Sequence, residues 1–551
     1  MERPGILLFN INISAPFPNL GIASLAAYLK ERGVHVLQHT LSLRGVTAMK
    51  PFSPLREKNR LLFQGIEAFL AGKKTFSQLP ENQRVITKIL TLWAQVIHRE
   101  NPVSLGISVT TPNVLFCLLL IRIVKKSLPG IKIILGGPEC SGPTGELFLR
   151  EGYADVVIVG EGEVPLYETL CCIREQRPIE TPGAMTLVNN EVVSFPIHPY
   201  PLDINTLPTP DFGKVLMGDG KFFALPIGFN RGCSFRCAFC NERIFWKTFR
   251  QMNVAKAVAT LEQLKETYGI NRFFLSQSLM NNDLAWLEEF ASLLREKNTG
   301  VLWGGNARIH RDMDQKYLGH LYQGGCRYLY WGIESGSLSV LKSMKKGTTP
   351  EMNKKALQDA TSSGIWNHTY WIFGFPTETE NDLLESVNFI LENNEIIHSY
   401  YFHIYDYYVI TVSMEKAAHS PLNYYSSLEA HKKPHCSPLL REFPGFFSQI
   451  TSFRKTYQML YKKFEGNYPP SKSSEKKQEM LAAMHVLRYF IIEPDRRKEI
   501  AQLFDIERFH KVYQEFSDKR RPSTESFADT GSDIGLQLFH LLKNPHEVIK
   551  K

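Results

Sequence analysis

The sequence predicts an α/β protein with two sheet-forming regions followed by a mainly helical C-terminal region. Short apolar runs alternate with helical patterns from residue 1 to about 195, and the same alternation resumes at Phe222. Such alternation is typical of parallel sheets covered by helices. The size agrees with this, since 551 residues with 43% apolar side chains suffice for about three or four domains with buried cores.

The first region, residues 1–195, is predicted to form one parallel sheet, with small or polar residues after each strand. The strand-length apolar runs are Gly5 to Ile11, Val34 to Leu37, Ser104 to Val109, Lys132 to Leu135 and Val156 to Val159. Helical patterns cover Leu20 to Arg32 and Asn113 to Ser127, and residues 45–100 resemble a helical insertion. We therefore expect a Rossmann-like domain, followed by a proline-rich linker at residues 196–221.

The second region, residues 222–415, contains six strand-like runs separated by helical segments. The runs are Phe222 to Phe229, Arg272 to Ser278, Val301 to Arg308, Tyr328 to Ser335, Asn367 to Phe375 and Tyr400 to Tyr407. Six such units predict a partial (β/α)6 version of the eight-unit TIM barrel, in which chemistry gathers at the C-terminal ends of the strands.

The third region, residues 416–551, has a helical pattern. Apolar residues recur at alternating spacings of four and three in one segment, as on one face of an amphipathic helix: Phe446, Ile450, Phe453, Tyr457, Leu460 and Phe464. This stripe is more typical of a core-facing surface than of a cofactor site. We expect the region to help close the mouth of the barrel.

Composition favours a cytoplasmic protein. The formal charge of +9 is a mild excess that requires no nucleic acid partner, and we expect none. The start of the chain has no pattern of a signal peptide. The longest apolar run, Val114 to Val124, is broken by Arg122 and is too short for a membrane span of about 20 residues. Nine cysteines, an odd number, argue against an extracellular disulfide framework.

Three of those cysteines, Cys233, Cys237 and Cys240, lie within RGCSFRCAFC, directly after the first predicted barrel strand. Three thiolates within eight residues can bind three irons of a [4Fe-4S] cluster and leave the fourth iron open for a chelating ligand. A structural zinc site would need a fourth ligand, and packed core thiols rarely cluster in this way. The spacing therefore predicts an iron–sulfur site.

The cysteine triplet, with Phe239 before its last member, resembles the signature loop of the radical S-adenosylmethionine (SAM) superfamily. Trp331 to Ser337 is similar to the fourth-strand segment of that superfamily, and Gly374 to Thr379 to its Gly-x-Pro-x-Glu-Thr turn. The resemblance implies a cluster whose open iron chelates the amino and carboxylate groups of SAM. It also implies that Glu334 and Arg308 hold SAM, although a salt-bridged carboxylate and a surface ion pair would explain these two residues as well.

The first region resembles the cobalamin-binding domain that precedes the barrel in one branch of that superfamily. Pro18 to Leu29 is similar to its first loop and helix. The residues similar to its corrin-lining loops are Ser108, Thr110, Gly136, Gly137, Glu139, Gly160, Glu161 and Gly162. Small residues at the C-terminal ends of parallel strands let a backbone approach a large flat ring. Helix-packing or phosphate-binding loops are the alternative interpretation.

The chain also departs from these families. The Asp-x-His-x-x-Gly motif that supplies a lower axial histidine to cobalamin is absent. Relatives often have acidic residues at the second barrel strand, where this chain has Ser276, Gln277 and Ser278. The resemblance implies that Gln277 is a cofactor-binding residue, but without the negative charge with which relatives hold the SAM amino group. Val409 to Ser413 replaces a common Gly-Thr-Pro turn, which indicates a specialised substrate side.

The combined resemblance implies a cobalamin-dependent radical SAM methyltransferase that acts on an unreactive carbon or phosphorus atom. The alternatives are a ring-forming or rearranging radical SAM enzyme whose cobalamin donates no methyl group, and a non-catalytic iron–sulfur protein. A tRNA methylthiotransferase is disfavoured because four other cysteines lack the spacing of its second cluster. The implied partners are SAM, an electron donor such as flavodoxin or ferredoxin, and a small-molecule, lipid or peptide substrate. No catalytic side chain is assigned.

Overall fold

We analysed a computed structural model of the protein. It describes residues 3–404 apart from 13–17, 43–56, 111–112, 142, 198–201, 214–223, 241, 247, 374, 376 and 394. The predictions for the helical region 416–551 and for Val409 to Ser413 lie outside the described residues. No helix in the described ranges is long and apolar enough to span a membrane.

The N-terminal sheet has seven strands in the order β2-β1-β3-β4-β5-β6-β7. Its strands are β1 Ile6–Asn12, β2 Val36–Ser42, β3 Ser104–Ser108, β4 Lys132–Gly136, β5 Val156–Ile158, β6 Ala184–Val188 and β7 Glu191–Ser194. Its helices are α1 Leu20–Glu31, α2 Glu57–Leu70, α3 Glu81–Glu100, α4 Val114–Ser127, α5 Pro143–Arg150 and α6 Glu163–Glu175. Strands β1 to β5 pair in parallel, as predicted.

Both faces of this sheet are covered because its strands are apolar at successive positions. Leu7 and Phe9 of β1 pack on one face with α3 and α4. Ile6 and Leu8 point the other way and pack with α1 and α6. Side chains that alternate between two apolar layers are typical of a strand buried on both faces. The prediction of a parallel sheet between helical layers is confirmed.

The edges of the sheet differ from the prediction. Strand β2 continues through Gln38, His39 and Thr40 to Ser42, because it is an edge strand on which polar side chains are tolerated. Strands β6 and β7 form an antiparallel hairpin that we did not predict. Its turn residues Asn189 and Asn190 have φ angles of 50° and 65°, and asparagine pairs favour such a hairpin turn.

The second sheet has six parallel strands in the order β15-β14-β13-β12-β11-β8. The strands of this region are β8 Leu225–Ile227, β9 Asn230–Arg231, β10 Arg250–Gln251, β11 Arg272–Leu275, β12 Leu302–Ala307, β13 Cys326–Glu334, β14 Trp366–Phe373 and β15 Ser399–Ile404. Its helices are α7 Glu242–Trp246, α8 Val254–Tyr268, α9 Leu284–Glu296, α10 Gln315–Gln323, α11 Leu338–Ser343, α12 Pro350–Ser362 and α13 Glu380–Glu392. This is the predicted partial barrel, to which β9 and β10 add a short antiparallel pair.

The segment between the two sheets packs against both of them. Asp211 accepts a hydrogen bond from Lys30 of α1 at 2.6 Å and one from Tyr268 of α8 at 3.1 Å. The ring of Phe212 lies 5.9 Å from that of Tyr268. Through Asp211 and Phe212, the described part of the predicted linker is therefore bonded to a helix of each domain.

Candidate active site

A cavity of about 610 Å³ lies between the two sheets, within the roughly 300–1,000 Å³ that ligand pockets occupy. On the N-terminal side it is lined by residues at the C-terminal ends of β3, β4 and β5, which include Ser108, Gly136, Gly137, Gly160, Glu161 and Gly162. On the barrel side it is lined by residues after β8 and at the ends of β11 and β12, which include Gly228, Asn230, Ser276, Gln277, Ser278 and Asn306. The C-terminal edges of both sheets thus face one space.

Glycine is required at one point of this wall. Gly137 has a φ of 108°, and a Cβ atom there would lie 2.6 Å from the carbonyl oxygen of Val109. Gly160, at a φ of 85°, also has a backbone that other residues rarely adopt. At these glycines the wall is bare backbone, which a flat ligand can approach closely.

Two residues predicted for this wall are not among those that line the cavity. The N–H of Thr110 donates to Oδ1 of Asn113 at 2.8 Å, in the turn that leads into α4. The N–H of Glu139 donates to the carbonyl of Val109 at 3.3 Å. Their assignment to cobalamin stays a prediction, as do those of Ser108 and the glycines.

Glu161 lines the cavity, but its carboxylate is occupied by two arginines of the barrel. Arg231 of β9 bonds to Glu161 and Glu163, and Arg250 of β10 bonds to Glu161 with one contact of 3.0 Å. The four side chains are between 5% and 20% exposed. Burial opposes ionisation of Glu163, but the Arg231 contact outweighs it and lowers the pKa of that carboxyl. This group, the interdomain ion cluster, joins the two sheets.

The cysteine loop follows β9 directly. The N–H of Ala238 donates to the carbonyl of Met344 at 2.8 Å, and Asn282 holds Ser234 through two hydrogen bonds of 3.0 and 2.8 Å. Cys233 is partly buried and Cys240 is exposed. Partial burial raises the pKa of the Cys233 thiol. Iron binding requires the thiolates and so would release protons.

In the described part of the chain, no three His, Cys, Asp or Glu side chains converge as they would around one metal ion. The remaining cysteine of the barrel, Cys326, is fully buried in β13, as its apolar surroundings predict.

Arg308, at the end of β12, lies against the cysteine loop. Its Nη1 donates to Sγ of Cys237 at 3.1 Å, and its guanidinium lies 4.1 Å from the centroid of the Phe235 ring. The side chain is 9% exposed. Arg308 thus makes no surface ion pair among the described residues and supplies a hydrogen-bond donor to the sulfur of Cys237.

Glu334, at the end of β13, is paired with a cation. Nζ of Lys346 donates to its Oε1 at 2.8 Å, and both side chains are buried. Lys346 also lies 5.7 Å from the centroid of the Phe239 ring. Glu334 has a φ of 67°, a left-handed conformation that costs about 1 to 3 kcal/mol in a non-glycine residue. The turn of the backbone at this strand end directs the carboxylate to the lysine.

The Gly-x-Pro-x-Glu-Thr turn after β14 is described only in part, because 374 and 376 are not among the described residues. Thr379 donates to Asp382 through its N–H at 2.8 Å and its hydroxyl at 2.6 Å. Ser337, from the loop after β13, donates to the same carboxylate at 2.5 Å. Asp382 therefore joins the turn to the loop that follows Glu334.

The structure thus gathers most of the predicted site residues into two adjacent groups. Arg308 contacts the cysteine loop at Cys237, and Glu334 is linked to Phe239 of that loop through Lys346. Gln277, by contrast, lies with the glycine loops on the cavity. Asn306 of the cavity wall is two residues before Arg308, so the two groups border each other. Our sequence reasoning missed Arg231, Arg250 and Lys346, because no local motif indicates their distant partners.

We compared the chain with protein families, curated proteins and solved structures. Residues 227–390 match the radical SAM superfamily. The chain is 27% identical over 303 residues to an uncharacterized methyltransferase of Pyrococcus horikoshii, a match that covers 54% of this chain and 65% of the relative. It is 27% identical over 322 residues to the anaerobic magnesium-protoporphyrin IX monomethyl ester cyclase of Rubrivivax gelatinosus, and this match covers 56% of each chain. The chain therefore matches about half to two thirds of the length of these curated relatives.

The fold is similar to that of the radical S-adenosylmethionine methyltransferase TsrM from Kitasatospora setae, whose structure has cobalamin and a [4Fe-4S] cluster bound. The TM-score is 0.53 at 17% identity, and the match covers 73% of this chain and 75% of that chain. At this identity the likeness establishes a shared fold.

Proposed function

From the premise that residues 227–390 are a radical SAM domain, we propose that this protein is a cobalamin-dependent radical SAM methyltransferase. The observation that carries the proposal is the position of the cavity. It lies between a Rossmann-like sheet and the C-terminal strand ends of the barrel, beside the cysteine loop. A corrin ring bound in this cavity would face the C-terminal strand ends of the barrel, where the chemistry of such a domain takes place.

Cys233, Cys237 and Cys240 would hold a [4Fe-4S] cluster. Arg308 fits this role, because it presents a hydrogen-bond donor to the sulfur of Cys237. Glu334 at the end of β13 and Lys346 in the loop after α11 offer an acceptor and a donor. Such a pair suits the amino and carboxylate groups of SAM. When bound, the cluster and SAM supply one-electron chemistry that generates a carbon radical.

One feature of the cavity fits a corrin. Its N-terminal wall is backbone at Gly136, Gly137 and Gly160, so a flat macrocycle meets no side chain at these positions. When bound, cobalamin supplies a carrier for a methyl group. The chain's own part is to orient both cofactors and exclude water, to which the buried interdomain ion cluster contributes.

A second function is favoured by one relative. The Rubrivivax gelatinosus protein is named as a cyclase, so a ring-forming enzyme whose cobalamin donates no methyl group is the alternative. Both proposals share the same cofactors and differ in the fate of the SAM methyl group. A non-catalytic iron–sulfur protein is disfavoured, because an electron carrier has no use for an open iron.

The partners follow from the chemistry. A reduced cluster needs an electron donor, for which flavodoxin or ferredoxin is suited. The substrate would enter at the mouth of the barrel as a small molecule, lipid or peptide. We place the protein in the cytoplasm because its thiols require a reducing compartment.

The test is anaerobic. Iron and sulfide are reconstituted, cobalamin, SAM and a reductant are added, and retained cobalt and SAM products are measured by mass spectrometry. Retained cobalamin with S-adenosylhomocysteine supports the methyltransferase. Retained cobalamin with only 5'-deoxyadenosine supports the alternative, whereas a full cluster in the Cys233→Ala, Cys237→Ala, Cys240→Ala triple variant would overturn both.

A further inference from the structure

Three amide side chains line the barrel side of the cavity. Asn230, Gln277 and Asn306 come from β9, the end of β11 and β12, so they meet at one strand-end surface. Asn230 and Gln277 are each 5% exposed, and Asn306 is partly buried. We refer to these residues as the amide trio.

Backbone contacts fix the orientation of each amide. Oε1 of Gln277 accepts from the N–H of Phe229 at 2.7 Å. Nδ2 of Asn230 donates to the carbonyl of Leu279 at 2.9 Å, and Nδ2 of Asn306 donates to the carbonyl of Gln277 at 3.2 Å. A backbone N–H can only donate and a carbonyl can only accept, so rotating any of these amides by 180° would lose its bond.

These orientations leave one donor and two acceptors unused. Nε2 of Gln277, Oδ1 of Asn230 and Oδ1 of Asn306 have no hydrogen-bond partner among the described residues. Buried polar atoms are nearly always paired in native proteins, and leaving one unpaired is costly. All three residues belong to the wall of the same cavity, so a ligand in it can satisfy them.

The charged groups of the cavity wall already have hydrogen-bond partners. Arg231 is bonded to Glu161 and Glu163, and Glu242 accepts from the hydroxyl of Ser278. The amide trio itself is uncharged and leaves one donor and two acceptors free. A neutral group with both a donor and an acceptor therefore matches the free atoms of the trio.

We propose that the amide trio recognises a primary carboxamide on the periphery of the corrin ring. The carboxamide oxygen accepts from Nε2 of Gln277, and its NH₂ group donates to Oδ1 of Asn230 or Asn306. This inference rests on the proposed function, in which the cavity holds cobalamin. Under this proposal Gln277 binds cobalamin and not SAM.

The protein side is tested with Gln277→Glu in the full chain with its cluster reconstituted. Glutamate keeps an oxygen for the N–H of Phe229 and replaces only the free donor. Hydroxocobalamin is titrated by visible absorption, and SAM binding is measured separately by equilibrium dialysis. We expect cobalamin affinity to fall by about tenfold or more, with SAM affinity unchanged. Gln323→Glu, the same change on an exposed residue of α10, should match the wild type, and iron content and thermal melting report folding.

The ligand side needs no variant. Corrinoids in which one peripheral carboxamide is hydrolysed to a carboxylate are compared with cobalamin on the wild-type protein. One of these monoacids should bind about tenfold more weakly, because its carboxylate cannot donate to the two asparagine oxygens. Equal binding of every monoacid and of cobalamin would overturn the inference.

Two further outcomes separate this inference from the proposed function. If Gln277→Glu tightens SAM binding and leaves cobalamin affinity unchanged, Gln277 lies at the SAM ammonium group and the inference is wrong, while the function stands. If the wild type binds no hydroxocobalamin at all, the proposed function fails, and the inference fails with it.

Discussion

The guanidinium of Arg231 contacts the carboxylate of Glu163. Arg231 stands two positions before Cys233, and Glu163 is the first residue of α6, a helix of the N-terminal domain. A second contact between them measures 3.3 Å, and the Glu163 side chain is 5% exposed. The position of the cysteine loop therefore depends directly on the glycine loop that lines the cavity.

The first prediction concerns this pair. Glu163→Gln leaves Arg231 buried with half its partners, and loss of one member of a buried pair costs about 3 to 5 kcal/mol. We expect the free energy of unfolding, measured in urea, to fall by that amount, with lower iron retention. Glu175→Gln changes an exposed pair on the same helix and should alter stability by less than about 1 kcal/mol. Equal effects of the two substitutions would show that the interdomain contact contributes nothing.

The second prediction concerns the glycine wall. A methyl group at Gly137 would meet the Val109 carbonyl, and the φ of 108° is unfavourable for alanine. Gly137→Ala should therefore reduce the free energy of unfolding by about 2 to 3 kcal/mol and weaken cobalamin retention. Gly130→Ala is the control, because no atom lies within 4 Å of the added carbon. If Gly137→Ala were as stable as the wild type, the close approach of Gly137 to the carbonyl of Val109 would be contradicted.

The sequence predicted the elements but not the contacts between them. Strand length, apolar alternation and the cysteine spacing are local signals, and they located both parallel sheets and the loop at Cys233. The Asn189-Asn190 turn is also local and could have revealed the β6–β7 hairpin. Glu161 is different, since nothing near it indicates that two arginines 70 and 89 residues away occupy its carboxylate. Lys346 was missed for the same reason, because nothing in the loop after α11 indicates that it pairs with Glu334 at the end of β13.

The third prediction separates pairing from binding at Glu334. Glu334→Gln leaves the buried Lys346 without its counter-charge, so stability should fall by about 3 to 5 kcal/mol and SAM affinity, by equilibrium dialysis, should also fall. The double variant Glu334→Gln with Lys346→Met removes both charges and should recover most of the stability without recovering SAM binding. Recovery of both would mean that Glu334 serves only as the partner of the lysine. Glu296→Gln, on the exposed end of α9, is the matched control.

The last prediction is a pH dependence. Burial of Asp382 opposes ionisation, but hydrogen bonds from Ser337, Ser339 and Thr379 outweigh it and lower the pKa of the carboxyl to about 2. A lowered pKa in the folded state means that the contribution of Asp382 is complete above the unfolded value of about 4 and is lost as the pH falls towards 2.

Urea unfolding between pH 6 and pH 2.5 tests this sign. Asp382→Asn should be less stable than the wild type by about 1 to 2 kcal/mol above pH 5, and the difference should shrink as the pH is lowered. Asp312→Asn, whose side chain is 63% exposed, should show no such convergence. A gap between Asp382→Asn and the wild type that stays constant down to pH 2.5 would mean that Asp382 acts through its size and not through its charge. In that case the loop after Glu334 and the turn at Thr379 would be joined by packing alone.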